Sequence, residues 1–332
     1  MDRVEMKQII DLAPSLVIYD YGKVKLGETK VKEPQPGEVL IRTDFSGVSV
    51  GTEMYGASGK SGIWGKPPFT PGYQGVGRIV SFGDPLQTKN LAVGQLVAYF
   101  TGAGTHQAFT VANLERVHPV EETTLSRYAG LFVQPSVGAN ALNKAGIKSG
   151  DSVLVVGQGL IGQFTAAQAR KRGAYVVTTE LSQERIQISK KYCADQVFDT
   201  SLEGAWDEIR KQFPKGFDVV IESTGYLPVV EDSLKSVRFE GVMVFEGYHA
   251  GEMKFDYNLA HRSQIRAVFP MFIGEPSSRE SIIRQITSGS LPVAPHVSHE
   301  CNWKDSADLY SQLFTSTKDS INGILFDWRD AV

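Results

Sequence analysis

The sequence predicts an α/β protein: a doubly wound parallel sheet with a β-rich region before it. Two observations predict this. From Ser152 to Phe269, short apolar runs alternate with helical stretches, the pattern of a parallel sheet covered by helices on both faces. The first ~130 residues instead carry strand-length apolar segments closed by glycine and proline, with little helical periodicity. The chain has 332 residues, too many for one ordinary core and suited to two domains.

In the β-rich region, Ser15–Tyr19 is a strand and Glu38–Thr43 follows the turn signal Pro34-Gln35-Pro36-Gly37. Gly75–Phe82 and Leu96–Phe100 are two more. A helix runs from Ser126 to Ala145, broken at Pro135. In the alternating region the expected strands are Val153–Val156, Tyr175–Thr179, Gln196–Phe198, Phe217–Ile221, Gly241–Phe245 and Ile265–Phe269. Helices are expected over Gly162–Arg172, Gln183–Tyr192, Leu202–Phe213 and Val229–Val237, then Ser278–Gly289 and Asp305–Ser316. A last strand, Gly323–Trp328, closes the chain. Val153-Leu154-Val155-Val156 is apolar at every position, as a strand buried on both faces must be.

Composition narrows the function. The net charge is −3 with no long basic or acidic run, so nothing favours nucleic acid or an acidic membrane surface as a partner. No apolar stretch approaches the ~18 residues that span a bilayer. Met1–Ser15 lacks the uninterrupted apolar segment of a signal peptide. Two cysteines, Cys193 and Cys301, cannot build a disulfide framework, and the chain reads as cytoplasmic. There is no internal repeat.

The sharpest motif is Gly157-Gln158-Gly159-Leu160-Ile161-Gly162. It follows a buried strand, opens a helix, and precedes a strand that ends on the acidic Glu180, the context of a Rossmann dinucleotide site. Gly157 permits the tight turn, Gly159 keeps side-chain bulk away from a pyrophosphate, and Gly162 lets helix and strand pack closely. The helix N-terminus offers free N–H groups and a positive dipole end. Glu180 stands where a carboxylate accepts hydrogen bonds from ribose hydroxyls and would repel a 2′-phosphate. The cofactor expected is therefore NAD(H) rather than NADP(H). Arg185 is the residue nearby that a 2′-phosphate could meet. Thr224, Gly225, Gly247 and Tyr248 end the next strands on the same side and belong with the cofactor.

Over nearly its whole length the chain resembles the medium-chain dehydrogenase/reductase superfamily. Ser46-Gly47-Val48-Ser49-Val50-Gly51-Thr52-Glu53 is similar to the segment carrying that family's first zinc ligand. Pro71-Gly72-Tyr73-Gln74-Gly75-Val76-Gly77 is similar to its Gly-His-Glu segment, and Gln134-Pro135-Ser136-Val137 to the Glu-Pro segment of its sorbitol dehydrogenase-like branch. Phe217–Gly225 and Gly241–Gly247 match its later cofactor-domain strands. The resemblance implies a GroES-like catalytic domain from residues 1–138 and 273–332, a Rossmann domain over 139–272, and a homodimer. The dimer would pair the strand Gly241–Phe245 or its successor across a two-fold axis. The Ser-Gly-x-Ser-x-Gly-Thr-Glu stretch, the Pro-Gly-Tyr segment and the Leu-Phe-Asp-Trp ending look most like bacteriochlorophyllide dehydrogenases, which act on a hydroxyethyl group.

The family's zinc chemistry does not carry over. Its cysteine falls at Ser49 or Val50, its histidine at Tyr73 and its glutamate at Gln134, none of them a good zinc ligand. The stretch 94–115 holds none of the four cysteines a structural zinc needs. His296, His299, Glu300 and Cys301 lie within six residues, but Val293–Ser298 reads as extended, which sends the two histidines to opposite faces. No metal is expected. Proton transfer then falls to hydroxyls and amides. Tyr73 takes the position of a lost ligand, and Thr52 matches the hydroxyl that relays protons in zinc relatives. Glu53 matches a carboxylate behind the ligands. Gln134, Gln74 and Tyr55 complete the candidates, and none of the six histidines aligns with a catalytic position. Trp64, Tyr55, Phe69, Phe272 and Met271 suggest a partly apolar pocket for a larger or ring-bearing small molecule.

The reading is a zinc-independent, NAD(H)-dependent oxidoreductase that interconverts a secondary alcohol and a ketone in the cleft between two domains. Two alternatives stay open. One is an enoyl- or quinone-type reductase of an activated C=C bond using NAD(P)H. The other is a dinucleotide-binding sensor or scaffold without turnover.

Overall fold

The computed structural model describes residues 11–60, 64–249, 251–315 and 321–332. Its first strands, β1 (Leu12–Asp20) and β2 (Lys23–Lys30), form an antiparallel hairpin. The sequence did not predict β2, because Lys23–Lys30 is mostly polar. Its period of two is nevertheless real: Val24 and Leu26 pack on the core while the lysines face out. β3 (Glu38–Val48) runs straight into α1 (Val50–Ala57), a helix not predicted from a segment with two glycines. The Glu53 side chain turns back to accept a hydrogen bond from the Ser49 N–H at 2.8 Å, closing the helix start. Gly56 is required where it stands, since a Cβ there would lie 2.7 Å from the Trp64 ring.

β4 (Gln74–Phe82), β5 (Leu96–Phe100), β6 (Phe109–Asn113) and β7 (Val117–Pro119) complete the first stretch. The last two were not predicted; β7 has only three residues, and β6, unlike the all-apolar β5, mixes polar and apolar positions. The helix expected from Ser126 to Ala145 divides elsewhere. Ser126–Leu131 is a tight 3₁₀ turn, and α2 (Val133–Ala145) starts afresh. Pro135 does not break it, because it lies in the first turn, where no intrahelical bond uses its missing N–H.

The second stretch alternates as predicted. In chain order it comprises β8 (Ser152–Val156), α3 (Leu160–Lys171), β9 (Tyr175–Glu180), α4 (Gln183–Tyr192), β10 (Gln196–Asp199), α5 (Ala205–Gln212), β11 (Phe217–Glu222), α6 (Val230–Lys235), β12 (Val237–Phe245), α7 (Tyr257–Arg262) and β13 (Arg266–Val268). These strands form one six-stranded parallel sheet in the order β10-β9-β8-β11-β12-β13. Val153 and Val155 enter one core layer with Ala166 and Ala169 of α3, whereas Leu154 and Val156 enter the opposite layer with Ile209 and Leu234. The continuous apolar run therefore serves two faces at once. Several bounds move for local reasons. α3 starts at Leu160 because Gly159 forms its N-cap. α5 starts after Gly204, whose φ of +78° stops a helix from continuing back to Leu202. β12 reaches back to Val237, beyond the expected Gly241. α7 was missed; Asp256 caps it by accepting from the Asn258 N–H at 2.9 Å.

The chain returns through α8 (Pro276–Thr287), β14 (Val297–Asn302), α9 (Ser306–Gln312) and β15 (Gly323–Asp327). The expected helix end at Ser316, and the first ten residues of the Met1–Ser15 segment, lie outside the described residues. β14 and β15 join β3, β4, β5 and β7 in a seven-stranded sheet, with β6 also paired to β3. The stretch expected to be extended from Val293 contains a 3₁₀ turn, Ala294–His296, and becomes strand only at Val297. His296 is buried, and burial pushes its imidazole down to about 4. His299 bonds the neighbouring Ser298 hydroxyl at 2.8 Å. Among the described residues no group of three or more His, Cys, Asp or Glu is arranged to hold a metal ion, and no helix is long and apolar enough to cross a membrane.

Two compact units result: Met1–Phe132 with Glu280–Val332, and Val133–Arg279. The seams expected from the sequence were near 138 and 273.

Candidate functional site

In the second unit, β8 ends at Val156 and the backbone turns sharply at Gly157, whose φ is +89°. A Cβ on Gly157 would meet the Thr224 methyl at 2.5 Å, and one on Gly162 would lie 2.1 Å from the Gly157 carbonyl oxygen. Both positions need glycine to exist at all. Gly159 differs: a Cβ there would meet nothing within 4 Å. The open space in front of Gly159 is a cradle beside the start of α3. The N–H groups of Leu160, Ile161 and Gly162 precede the first intrahelical bond, Gln163 N to Gly159 O at 2.9 Å, so the helix does not use them. Free N–H groups at a helix start, with room in front, suit a pyrophosphate. The Gln158 side chain points inward, its Nε2 on the Gly157 carbonyl and its Oε1 accepting from the Ser189 hydroxyl of α4.

Glu180 reaches this turn directly. Its Oε2 accepts from the Gln158 N–H at 2.7 Å, and its Oε1 from the N–H groups of Leu181 and Ser182 at 2.8 and 3.0 Å. A carboxylate has about four lone-pair positions, so one remains, on Oε2. Glu180 thus ties the glycine turn to the end of β9. Arg185 lies on α4, and its Nε is buried without a hydrogen-bond partner.

The turns after β11 and β12 abut each other. A Cβ on Gly247 would stand 2.4 Å from the Gly225 nitrogen, and one on Gly225 would stand 2.5 Å from the Tyr248 carbonyl oxygen. Buried Glu222 joins them. Its Oε1 accepts from the Thr224 N–H at 2.6 Å, the Thr224 hydroxyl, and the Gly225 N–H at 3.1 Å. Its Oε2 is 2.6 Å from His249 Nε2. The expected cofactor residues Thr224, Gly225, Gly247 and Tyr248 are therefore brought together with the glycine turn in one unit. Beside them lies Glu246, which accepts from the Thr165 hydroxyl at 2.8 Å. Burial pushes its carboxyl up to about 7, against the Thr165 and Ser223 hydroxyls and with the Glu222 charge adding to the push.

In the first unit, α1 carries Thr52, Glu53 and Tyr55. Thr52 is exposed and Tyr55 half-buried. Glu53, expected behind the reacting groups, is fully buried. Its Oε1 accepts from Ser49 N–H, and its Oε2 lies 2.9 Å from His106 Nε2 and 3.0 Å from the Tyr310 hydroxyl. The sequence had given His106 no role and had not noticed Tyr310, because nothing local marks residues that meet across 53 and 257 positions. Half-buried Tyr73 follows Gly72 (φ +83°), and its carbonyl accepts from Thr101 N–H at 2.8 Å. Gln74 is turned into the sheet, its amide 3.4 Å from the Gly47 carbonyl. Trp64 and Phe69 meet edge to face at 5.9 Å. Gln134 is buried on α2, and Met271 and Phe272 are exposed, all three in the second unit. The residues at the three positions matched to zinc ligands offer a hydroxyl or nothing at Ser49/Val50, a phenol at Tyr73 and an amide at Gln134. That donor set does not fit zinc, which takes thiolate, imidazole or carboxylate.

Residues 161–288 match the family described as zinc-binding dehydrogenase. Human sorbitol dehydrogenase is 28% identical over 323 residues, 86% of this chain and 88% of that protein. Bovine prostaglandin reductase-3 is 31% identical over 194 residues, 58% of this chain, and the chain spans half the length of that relative. Among solved structures, Geotrichum candidum acetophenone reductase in complex with NAD superposes with a TM-score of 0.81 at 20% identity, covering 98% of this chain and 100% of that one. Escherichia coli galactitol-1-phosphate dehydrogenase gives 0.85 at 17% identity, covering 95% and 99%. At these identities the structures establish the fold.

The Glu246 carboxyl leads to a stability prediction. It holds its proton more tightly in the folded chain than in the unfolded one. Its contribution is therefore fully present below the ordinary carboxyl range and is lost as pH rises through about 7. Glu246→Gln, which keeps the neutral shape, should be more stable than the wild type at pH 8 by on the order of 3 kcal/mol, with the gap closing towards pH 5. Urea denaturation at both pH values measures it.

Proposed function

We propose that this chain, an oxidoreductase of the medium-chain, zinc-binding dehydrogenase family, interconverts a secondary alcohol and a ketone with NAD(H) and without zinc. The observation that carries the proposal is the uncovered cradle at Gly159, set between two glycines that close packing makes obligatory. Bound there, the dinucleotide supplies the hydride at its nicotinamide ring. Glu180 keeps one lone-pair position for a ribose hydroxyl, and its charge disfavours a 2′-phosphate. The sequence likeness favours a ring-bearing compound with a hydroxyethyl group as substrate.

The protein's own groups handle the proton. Tyr73 supplies a phenol, which can donate to the oxygen of a ketone as hydride arrives. Exposed Thr52 on α1 is the second hydroxyl for this step. Gln134 offers an amide N–H. A second reading, reduction of an activated C=C bond, is tested by supplying an enone in place of the ketone; over 58% of its length the chain is similar to a protein named as a reductase, prostaglandin reductase-3. We also propose a homodimer paired along the edge of the parallel sheet. β13 is the edge of the six-stranded sheet, and Phe269, Met271 and Phe272 beside it are 68%, 87% and 57% exposed. An open edge with apolar side chains invites a second strand.

Three outcomes are expected. NADH should quench protein fluorescence with an affinity at least about tenfold tighter than NADPH, a difference of ~1.4 kcal/mol; tighter NADPH binding overturns the role given to Glu180. Tyr73→Phe should lower kcat for ketone reduction by about 100-fold or more while NADH still binds, and full activity in that variant removes the tyrosine from the proton step. Met271→Lys should shift the chain from dimer to monomer in light scattering behind size exclusion, and a wild type already monomeric refutes the edge pairing.

A further inference from the structure

The buried Glu53 belongs to a longer chain of hydrogen bonds. Trp328 Nε1 can only donate, and it lies 2.8 Å from Ser46 Oγ. Ser46 Oγ accepts there and lies 2.7 Å from His106 Nδ1. A carboxylate can only accept, so His106 Nε2 donates to Glu53 Oε2 at 2.9 Å. The Tyr310 hydroxyl donates to the same oxygen at 3.0 Å. Burial, with the Glu53 charge beside it, raises the Tyr310 phenol well above its usual range, so it keeps its proton. The connected line is Trp328, Ser46, His106 and Glu53, with Tyr310 and the Ser49 N–H entering at the same carboxylate. Serine, histidine and glutamate in this order are the residue types of a hydrolytic triad. Here Ser46, His106, Glu53 and Tyr310 are all completely buried, so no acyl group can reach the hydroxyl.

His106 has a second set of contacts. Its backbone N–H donates to the Pro71 carbonyl at 3.1 Å, and the N–H of Thr105 donates to the Gly72 carbonyl at 3.2 Å. Its ring lies directly under Gly72, where a Cβ would come within 2.7 Å of two ring atoms. The same residue thus grips the segment that ends in Tyr73 and, through Glu53, the helix that carries Thr52 and Tyr55. We infer that His106 is a positioning residue for the proton-handling hydroxyls, setting α1 and the Pro71–Tyr73 segment in register through its Nε2–H bond to Glu53. This rests on the proposed alcohol–ketone reaction. In that reaction an offset of about 1 Å at a reacting group costs ~100-fold in rate.

The two ring nitrogens can be tested separately in the full-length chain. His106→Gln places an amide N–H near Nε2 and retains the bond to Glu53. His106→Asn places an acceptor near Nδ1 and loses it. Turnover per folded molecule, NADH affinity and deuterium exchange along the backbone are measured for both. In His106→Asn, kcat should fall by about tenfold or more, and exchange should quicken over 49–58 and 71–75. NADH affinity and exchange over 152–182 should stay at wild-type values. His106→Gln should restore kcat to within about threefold of the wild type. Unchanged kcat in His106→Asn despite faster exchange would make the residue structural only and overturn the inference. So would rescue by asparagine rather than glutamine, or exchange that does not move at all. A wild type that reduces no ketone or enone ends the reaction reading itself, which the wild-type assay shows before any variant is made.

Discussion

A carboxylate taken out of water must have its lone pairs answered, and three glutamates of this chain use that requirement to hold loops in place. Glu180 gathers the N–H groups of Gln158, Leu181 and Ser182. Glu222 gathers those of Thr224 and Gly225 together with His249. Glu53 gathers Ser49 N–H, His106 and Tyr310. Each sits at the end of a strand or in the first turns of a helix, where backbone N–H groups would otherwise go unpaired. Regular strands and helices bring these ends near one another, and the carboxylates fix what the irregular segments then do.

The two units use this device differently. Around the glycine turn it acts on backbones already pressed together: Gly157 against Thr224, Gly162 against Gly157, and Gly225 against Tyr248. Close packing leaves little freedom, and Glu180 and Glu222 remove the remainder. In the first unit the segments it joins are farther apart in the chain. There the pin is made of side chains, from β3, α1, the loop before β6, α9 and the C-terminal segment.

This difference explains what was legible in the sequence. The alternation from β8 to β13 could be read because a strand covered on both faces has to be apolar throughout, as Val153–Val156 is. The glycine turn could be read because its close contacts exclude every other residue. α1 could not, since Gly51 and Gly56 argue against a helix and the contacts that stabilise it come from Ser49, Trp64 and His106. β2 was hidden by lysines, and Pro135 was misjudged because its effect depends on its distance from the helix start. The pairing of Glu53 with His106 went unread. Glu53 was nominated for chemistry from its place in a segment, and His106 was set aside for having none. Their pairing is long-range, and no window of sequence contains it.

The arrangement around Glu53 also bears on how such a chain can change over generations. Its oxygens are claimed by groups from three separate segments. Aspartate would be a methylene too short to reach all of them, and glutamine would set an N–H against donors. Loss of His106, Tyr310 or Ser46 would leave a neighbour buried and unsatisfied. The four positions are therefore poor places for independent drift. Lineages that keep Glu53 as it stands here should keep its partners, and a lineage that abandons one should be found to have replaced the set together.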